Sequence, residues 1–168
     1  MRNTIATREW REISNPNDLV TTKRRIDLLV VHCSATRPQD RYLPPQLIQD
    51  HKLRGFATAG YHYYVTLEGR LYALRHVDEA GAHAAGYNKF SIGICYEGGL
   101  DTQYRPRDTR TPEQRQTLSQ LMWNLRRRYP EAMVVGHRDL SPDRNADGSI
   151  TPDEWLKSCP CFNAQVYN

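Results

Sequence analysis

Two histidines stand where chemistry is expected. His32 ends the apolar run Ile26 to His32, and His137 follows the run Ala132 to Gly136. Each is the first polar side chain after a short, branched stretch that reads as a buried strand. If those strands are parallel neighbours, both imidazoles emerge at one sheet edge, where open α/β sheets hold their ligands. Imidazole suits zinc, and a catalytic zinc takes three protein ligands and leaves one position open. A histidine at a strand end is also met as a satisfied structural residue, and the residues alone leave both readings open. A third donor is offered by Cys159, in Lys157-Ser158-Cys159-Pro160. Its thiolate, the form that binds metal, is favoured beside a lysine; the competing reading is a small packed hydrophobe. Residues 143–154 satisfy D-x-[DN]-x-[DN]-G-x5-E, the EF-hand calcium loop. Asp143, Asn145 and Asp147 would give side-chain oxygens, Ser149 its carbonyl, and Glu154 both carboxylate oxygens. The incoming helix of an EF-hand is missing from the sequence, so an acidic turn loop without an ion is the alternative.

These side chains need a scaffold. The chain has 168 residues, 39% hydrophobic and 25% charged, which suits one domain able to bury a core without disulfides. Four cysteines, two of them only two positions apart, show no disulfide framework and fit thiols kept reduced, one or more for metal. Pro44-Pro45 open a helix that runs to about Arg54 and ends at Gly55; His51 on it is expected to be exposed. Gly60 to Leu67 and Arg70 to His76 alternate about Glu68-Gly69 as a hairpin. Phe90 to Glu97 is a further apolar strand. Thr111-Pro112-Glu113 cap an amphipathic helix to about Tyr129, with Leu118, Leu121, Met122 and Leu125 on one face. Thr151-Pro152-Asp153-Glu154 start a further helix that includes Trp155 to Lys157. The expected fold is α/β: a single domain with a central sheet of about five strands flanked by helices. Residues 1–25 read as an N-terminal arm, and 26–168 as the main domain with 143–154 inserted.

The formal charge is +4, which favours a polyanionic partner without choosing one. Lys23-Arg24-Arg25 and Arg126-Arg127-Arg128 are not interleaved with aromatics, so nucleic acid is not expected as a partner. No segment approaches the roughly 20 apolar residues of a membrane span. The first 20 residues hold no stretch long enough for a signal core, so synthesis in the cytoplasm without a signal peptide is expected. Nothing indicates an oligomer, and a monomer is expected.

Five ordered segments then carry a resemblance: VVHCSAT (30–36), GYHYYVTLEG (60–69), GAHAAGYNKFSIGIC (81–95), VGHRDLSP (135–142) and KSCPCF (157–162). Together they resemble the zinc-dependent N-acetylmuramoyl-L-alanine amidases, which include phage lysozymes of the amidase type and the animal peptidoglycan recognition proteins. The resemblance implies zinc ligation by His32, His137 and Cys159, with Tyr61 and Lys157 as catalytic residues. It places His83, Asn88 and Thr36 along the substrate groove. It implies one catalytic Zn2+, a peptidoglycan or muropeptide substrate, and cleavage between N-acetylmuramic acid and L-alanine. Since there is no H-E-x-x-H, no glutamate base is on offer. His62, next to Tyr61, faces the other way on its strand and reads as structural or as support for the metal ligands. Cys161 reads as packing. Two other outcomes stay open: a peptidoglycan-binding module without catalysis, and a cytoplasmic amidase that recycles muropeptides. A phage or prophage lysis protein, released to the wall through a partner's hole in the membrane, fits the leaderless sequence.

Overall fold

The computed structural model describes residues 10–168. Its axis is β2 (Leu28–Cys33), whose last five residues are buried. β2 runs parallel to β5 (Ser91–Tyr96) on one side and to β6 (Met133–Gly136) on the other. This register pairs Val31 with Gly136. The next residues, His32 and His137, therefore leave the carboxyl ends of adjacent parallel strands together. β3 (Tyr63–Val65) lies parallel to β5 and antiparallel to β4 (Leu71–Ala73). The hairpin turns at Gly69, whose φ of +76° favours glycine.

Among the described residues the sheet has six strands, in the order β1-β4-β3-β5-β2-β6. The strand beyond the expected five is β1 (Arg11–Ile13), paired antiparallel with β4. It lies in the stretch read as an arm, where only Ile13 of the three is buried, so no periodicity marks it. Residues 1–9 of that arm lie outside the described residues.

Among the described residues, one α-helix covers each face. α2 (Pro112–Arg128) starts at a capping box in which Thr111 and Gln114 exchange hydrogen bonds. Leu118, Leu121, Met122 and Leu125 pack beneath it against Leu29, Val31, Val65, Ile92 and Ile94. Each such side chain contributes about 1.5–3 kcal/mol by leaving water. α1 (Pro44–Leu53) lies on the opposite face, where Leu47 and Ile48 meet Tyr64 and Cys95. Side chains alternate across β2, so His32 points to the α1 face while Cys33 joins the α2 core.

The helix expected from Thr151 does not form; residues 152–154 are a turn. Glu154 is buried, and its carboxylate accepts the N–H groups of Arg144, Asn145 and Thr151. It closes the preceding loop instead of opening a helix. Arg24, from the first basic run, donates to the carbonyls of Val77, Lys89 and Ser91 and so braces the segment before β5. Among the described residues no helix is long and apolar enough to cross a membrane.

Candidate metal centre

His32, His137 and Cys159 converge. One ligand atom from each lies within 4.8 Å of the others. His32 is buried, while the other two are half-buried and face a cleft of about 430 Å³. The sheet places the histidines; a separate device brings in the cysteine. The loop 157–161 docks against the end of β6, where a side chain on Gly136 would come 2.6 Å from Pro160 Cδ. The N–H of Arg138 donates to the Cys159 carbonyl at 2.8 Å, and the Cys33 N–H reaches the Cys159 sulfur at 3.2 Å. A backbone donor on sulfur is what a thiolate accepts. Two imidazoles and one thiolate, open on one side, form a donor set that fits a tetrahedral zinc with one free position.

The two histidines are held as neutral bases. Burial pushes His32 well below the usual histidine range, and the nearby His83 and His137 add to this. His137 is lowered by burial and then by Lys157. His32 Nε2 lies 2.9 Å from His83 Nδ1, and His83 Nε2 lies 3.2 Å from Ser91 Oγ. This chain leaves His32 Nδ1 as the nitrogen free for a metal. Burial holds His83 down to about 3, so its ring is neutral and relays one hydrogen bond in each direction. Gly93 makes room for that ring: a Cβ there would lie 2.6 Å from it.

His83 thus borders the cleft, but its ring nitrogens serve His32 and Ser91. Asn88 is spent on the same task, with its side-chain oxygen accepting the N–H groups of His83 and Ala84. Thr36 does not line the cleft. Its hydroxyl meets Ser34 and its backbone ties the end of β2 to Gly98. His62 is structural, accepting from the Gly93 N–H and bonding the Glu79 carbonyl, with burial lowering it to about 4. Cys161 packs near Cys33, their sulfurs 4.0 Å apart.

Tyr61 and Lys157 both reach the cleft. The Tyr61 ring sits 5.0 Å from the His32 ring, centroid to centroid, and burial keeps its phenol protonated far above neutral pH. Lys157 is exposed at the opening. His51 corrects the sequence expectation: it is buried, its Nδ1 accepts the Gly60 N–H at 2.8 Å, and its ring lies 5.3 Å from Tyr61. Leu47, Ile48 and His51 share one face of α1, so helical spacing contained the signal. Arg54 and Phe56 also line the cleft, and among the described residues no carboxylate does.

The five residues expected to bind calcium share one loop. Gly148 has the positive φ, +85°, that its sharp turn requires. Asp143 accepts from the Gly148 N–H and Asp147 from the Ser149 N–H, while Asn145 accepts from Asp147. Among the described residues, the converging group of histidine, cysteine and carboxylate donors is His32, His137 and Cys159, and the loop acids do not form a second one.

A family model described as N-acetylmuramoyl-L-alanine amidase matches residues 22–153. The chain belongs to this amidase family. It is 34% identical over 137 residues to the endolysin of Escherichia phage T7, covering 82% of each. It is 32% identical over 145 residues to that of Enterobacteria phage K11, covering 86% of this chain and 87% of the relative. A 46% match over 97 residues, 84% of the relative, is to an uncharacterized protein of Haemophilus influenzae. Among solved structures, the endolysin amidase LysCS of Clostridium intestinale superposes with a TM-score of 0.64 at 25% identity, over 83% of this chain and 78% of that one. Drosophila peptidoglycan recognition protein LB shares the fold, with a TM-score of 0.61 at 22% identity over 90% of this chain and 84% of that one. The amidase is thus a peptidoglycan amidase of the phage-lysozyme type. The family match ends before Lys157 and Cys159, so the geometry of the C-terminal loop is what brings those two into the site.

Proposed function

We propose that this amidase hydrolyses the amide bond between the lactyl group of N-acetylmuramic acid and L-alanine, with zinc held by His32, His137 and Cys159. The observation that carries the reading is the convergence of those three donors in a cleft that also presents Tyr61 and Lys157. A zinc ion there supplies a Lewis acid and lowers the pKa of water to about 7. The residues supply the rest. His83 and Ser91 fix the His32 ring so that one nitrogen stays aimed at the centre. Lys157, a cation at the opening, offsets negative charge developing on the carbonyl oxygen. Tyr61, a neutral phenol, orients the attacking water or passes a proton to the leaving nitrogen. Water adds its oxygen to the carbonyl carbon and the C–N bond breaks. The glycan keeps a lactyl carboxylate, and the peptide leaves with an L-alanine amino terminus. Arg54 and Lys157, with no acid in the lining among the described residues, favour a substrate that carries carboxylates, as stem peptides do.

Cys159→Ser and His137→Ala test the metal. Both are expected to lose zinc and turnover in parallel; a variant that loses its zinc and keeps full turnover would remove the metal from the reaction. The endolysin relatives support a lytic role on the wall after synthesis in the cytoplasm. Calcium in the 143–154 loop is a separate proposal supported by its motif, set against the fact that Glu154 already spends both oxygens within the loop. Millimolar calcium raises Tm if the ion binds there, and no shift removes it.

A further inference from the structure

The face of α2 turned away from the catalytic cleft carries Trp123, 58% exposed. It does not stand alone: Pro130 and Val166, both exposed, line a hollow beside it, so a contiguous apolar patch is left in water. Trp123 stands between two hollows. On one side Arg127 lies over the ring, 4.5 Å from its centroid, in a hollow that also holds Arg126. On the other side is a groove of about 570 Å³ between α2 and residues 15–17. Its walls are fixed: Arg128 of α2 donates to the Asn17 carbonyl, and the Asn15 side chain caps the short turn at 16–18. The groove presents the side chains of Asn15, Asn17, Ser119 and Gln120 over a buried Asn124, and among the described residues no carboxylate lines it. Among the described residues, those of Asn17, Ser119 and Gln120 make no hydrogen bond to the protein.

We propose that this groove is a second glycan site, which takes the peptide-stripped strand that the reaction leaves behind. The chemistry selects that occupant, given the bond assigned above. The apolar face of a pyranose stacks on indole, while amide and hydroxyl side chains match acetamido and hydroxyl groups. Each cleavage also leaves one lactyl carboxylate on the strand, and the exposed Arg127 lies beside the ring to meet it, while Arg126 is held by the Tyr167 carbonyl. The catalytic cleft opens on the α1 face and the groove lies outside α2, with the whole sheet between them. The site therefore holds a neighbouring, already processed strand while the cleft works on another.

The test uses the full chain with glycan strands freed of stem peptides and, separately, a soluble muramyl peptide. Trp123→Ala is expected to lose about tenfold or more of its retention on stripped strands, as central aromatic anchors do, and Trp123→Tyr to retain most of it. Both variants are expected to hydrolyse the soluble substrate at the parent rate. Equal retention by the alanine variant would overturn the proposal. So would an equal loss on the soluble substrate, which would trace the effect to folding, or a shift from dimer to monomer without glycan, which would make Trp123 a self-association contact. Should the parent fail to cleave the soluble substrate while Trp123-dependent retention persists, the catalytic reading fails and the glycan site stands.

Discussion

Removing His83 should weaken the metal site without touching a ligand. His83 Nδ1 is 2.9 Å from His32 Nε2, and its own Nε2 is 3.2 Å from Ser91 Oγ. For His32 to present Nδ1 as a lone pair, its proton must sit on Nε2, donated to His83. His83→Ala leaves that buried N–H without a partner, a loss of about 1–3 kcal/mol. It also frees the His32 ring to turn. Loss of such a supporting partner typically lowers metal affinity by about 10–100-fold, or about 1.4–2.8 kcal/mol; the two figures agree. Zinc affinity measured by competition with a chromophoric chelator should therefore fall by that factor, with an unchanged far-UV circular dichroism spectrum. His83→Gln, which offers an acceptor from a similar position, should recover part of it. A folded His83→Ala protein with zinc affinity within about threefold of the parent would refute this account of how His32 is aimed.

Three further perturbations separate the parts of the site. Tyr61→Phe should keep full zinc and lose most turnover with KM little changed, since only a contact made in the transition state is removed; steady-state kinetics beside zinc analysis decides, and parental turnover would take Tyr61 out of the reaction. Gly136→Ala should lower zinc occupancy with the sheet intact, because the new Cβ meets Pro160 Cδ at 2.6 Å and pushes the Cys159 loop outward; unchanged zinc would show that the loop tolerates the shift. Stability should fall as the pH drops from about 6.5 to 4. His62 is lowered to about 4 by burial, so in that window the unfolded chain binds a proton that the folded chain refuses, at a cost on the order of 3 kcal/mol. Tm against pH should become shallower in His62→Gln, with the remaining slope carried by His83, which burial also lowers, and an unaltered slope would assign the acid sensitivity elsewhere.

The histidine pair was legible because two apolar strands each ended in a histidine and the sheet made those strands parallel neighbours in matching register. Cys159 was legible through its motif alone; no periodicity foretells that loop 157–161 folds back against Gly136. His83 and Asn88 were read as groove residues; His83 borders the cleft and Asn88 does not, and the side chains of both are turned to support, which only the hydrogen-bond pattern reveals. His51 was misread because its polarity outweighed its spacing with Leu47 and Ile48. The strand β1 escaped notice because three residues with one buried side chain carry no period. The helix after Thr151 was expected from a sound capping signal, which lost to a tertiary use: Glu154 satisfies the N–H groups of the loop before it.

The central claim is that His32, His137 and Cys159 hold zinc for cleavage of the muramoyl–L-alanine bond. Its most direct test is one preparation analysed twice: zinc per chain by elemental analysis, then products from purified peptidoglycan by mass spectrometry. The account predicts about one zinc per chain, the usual complement of one catalytic site, and free stem peptides that begin with L-alanine. A chain without zinc that releases such peptides, or a zinc-loaded chain that releases fragments cut at any other bond, would contradict it.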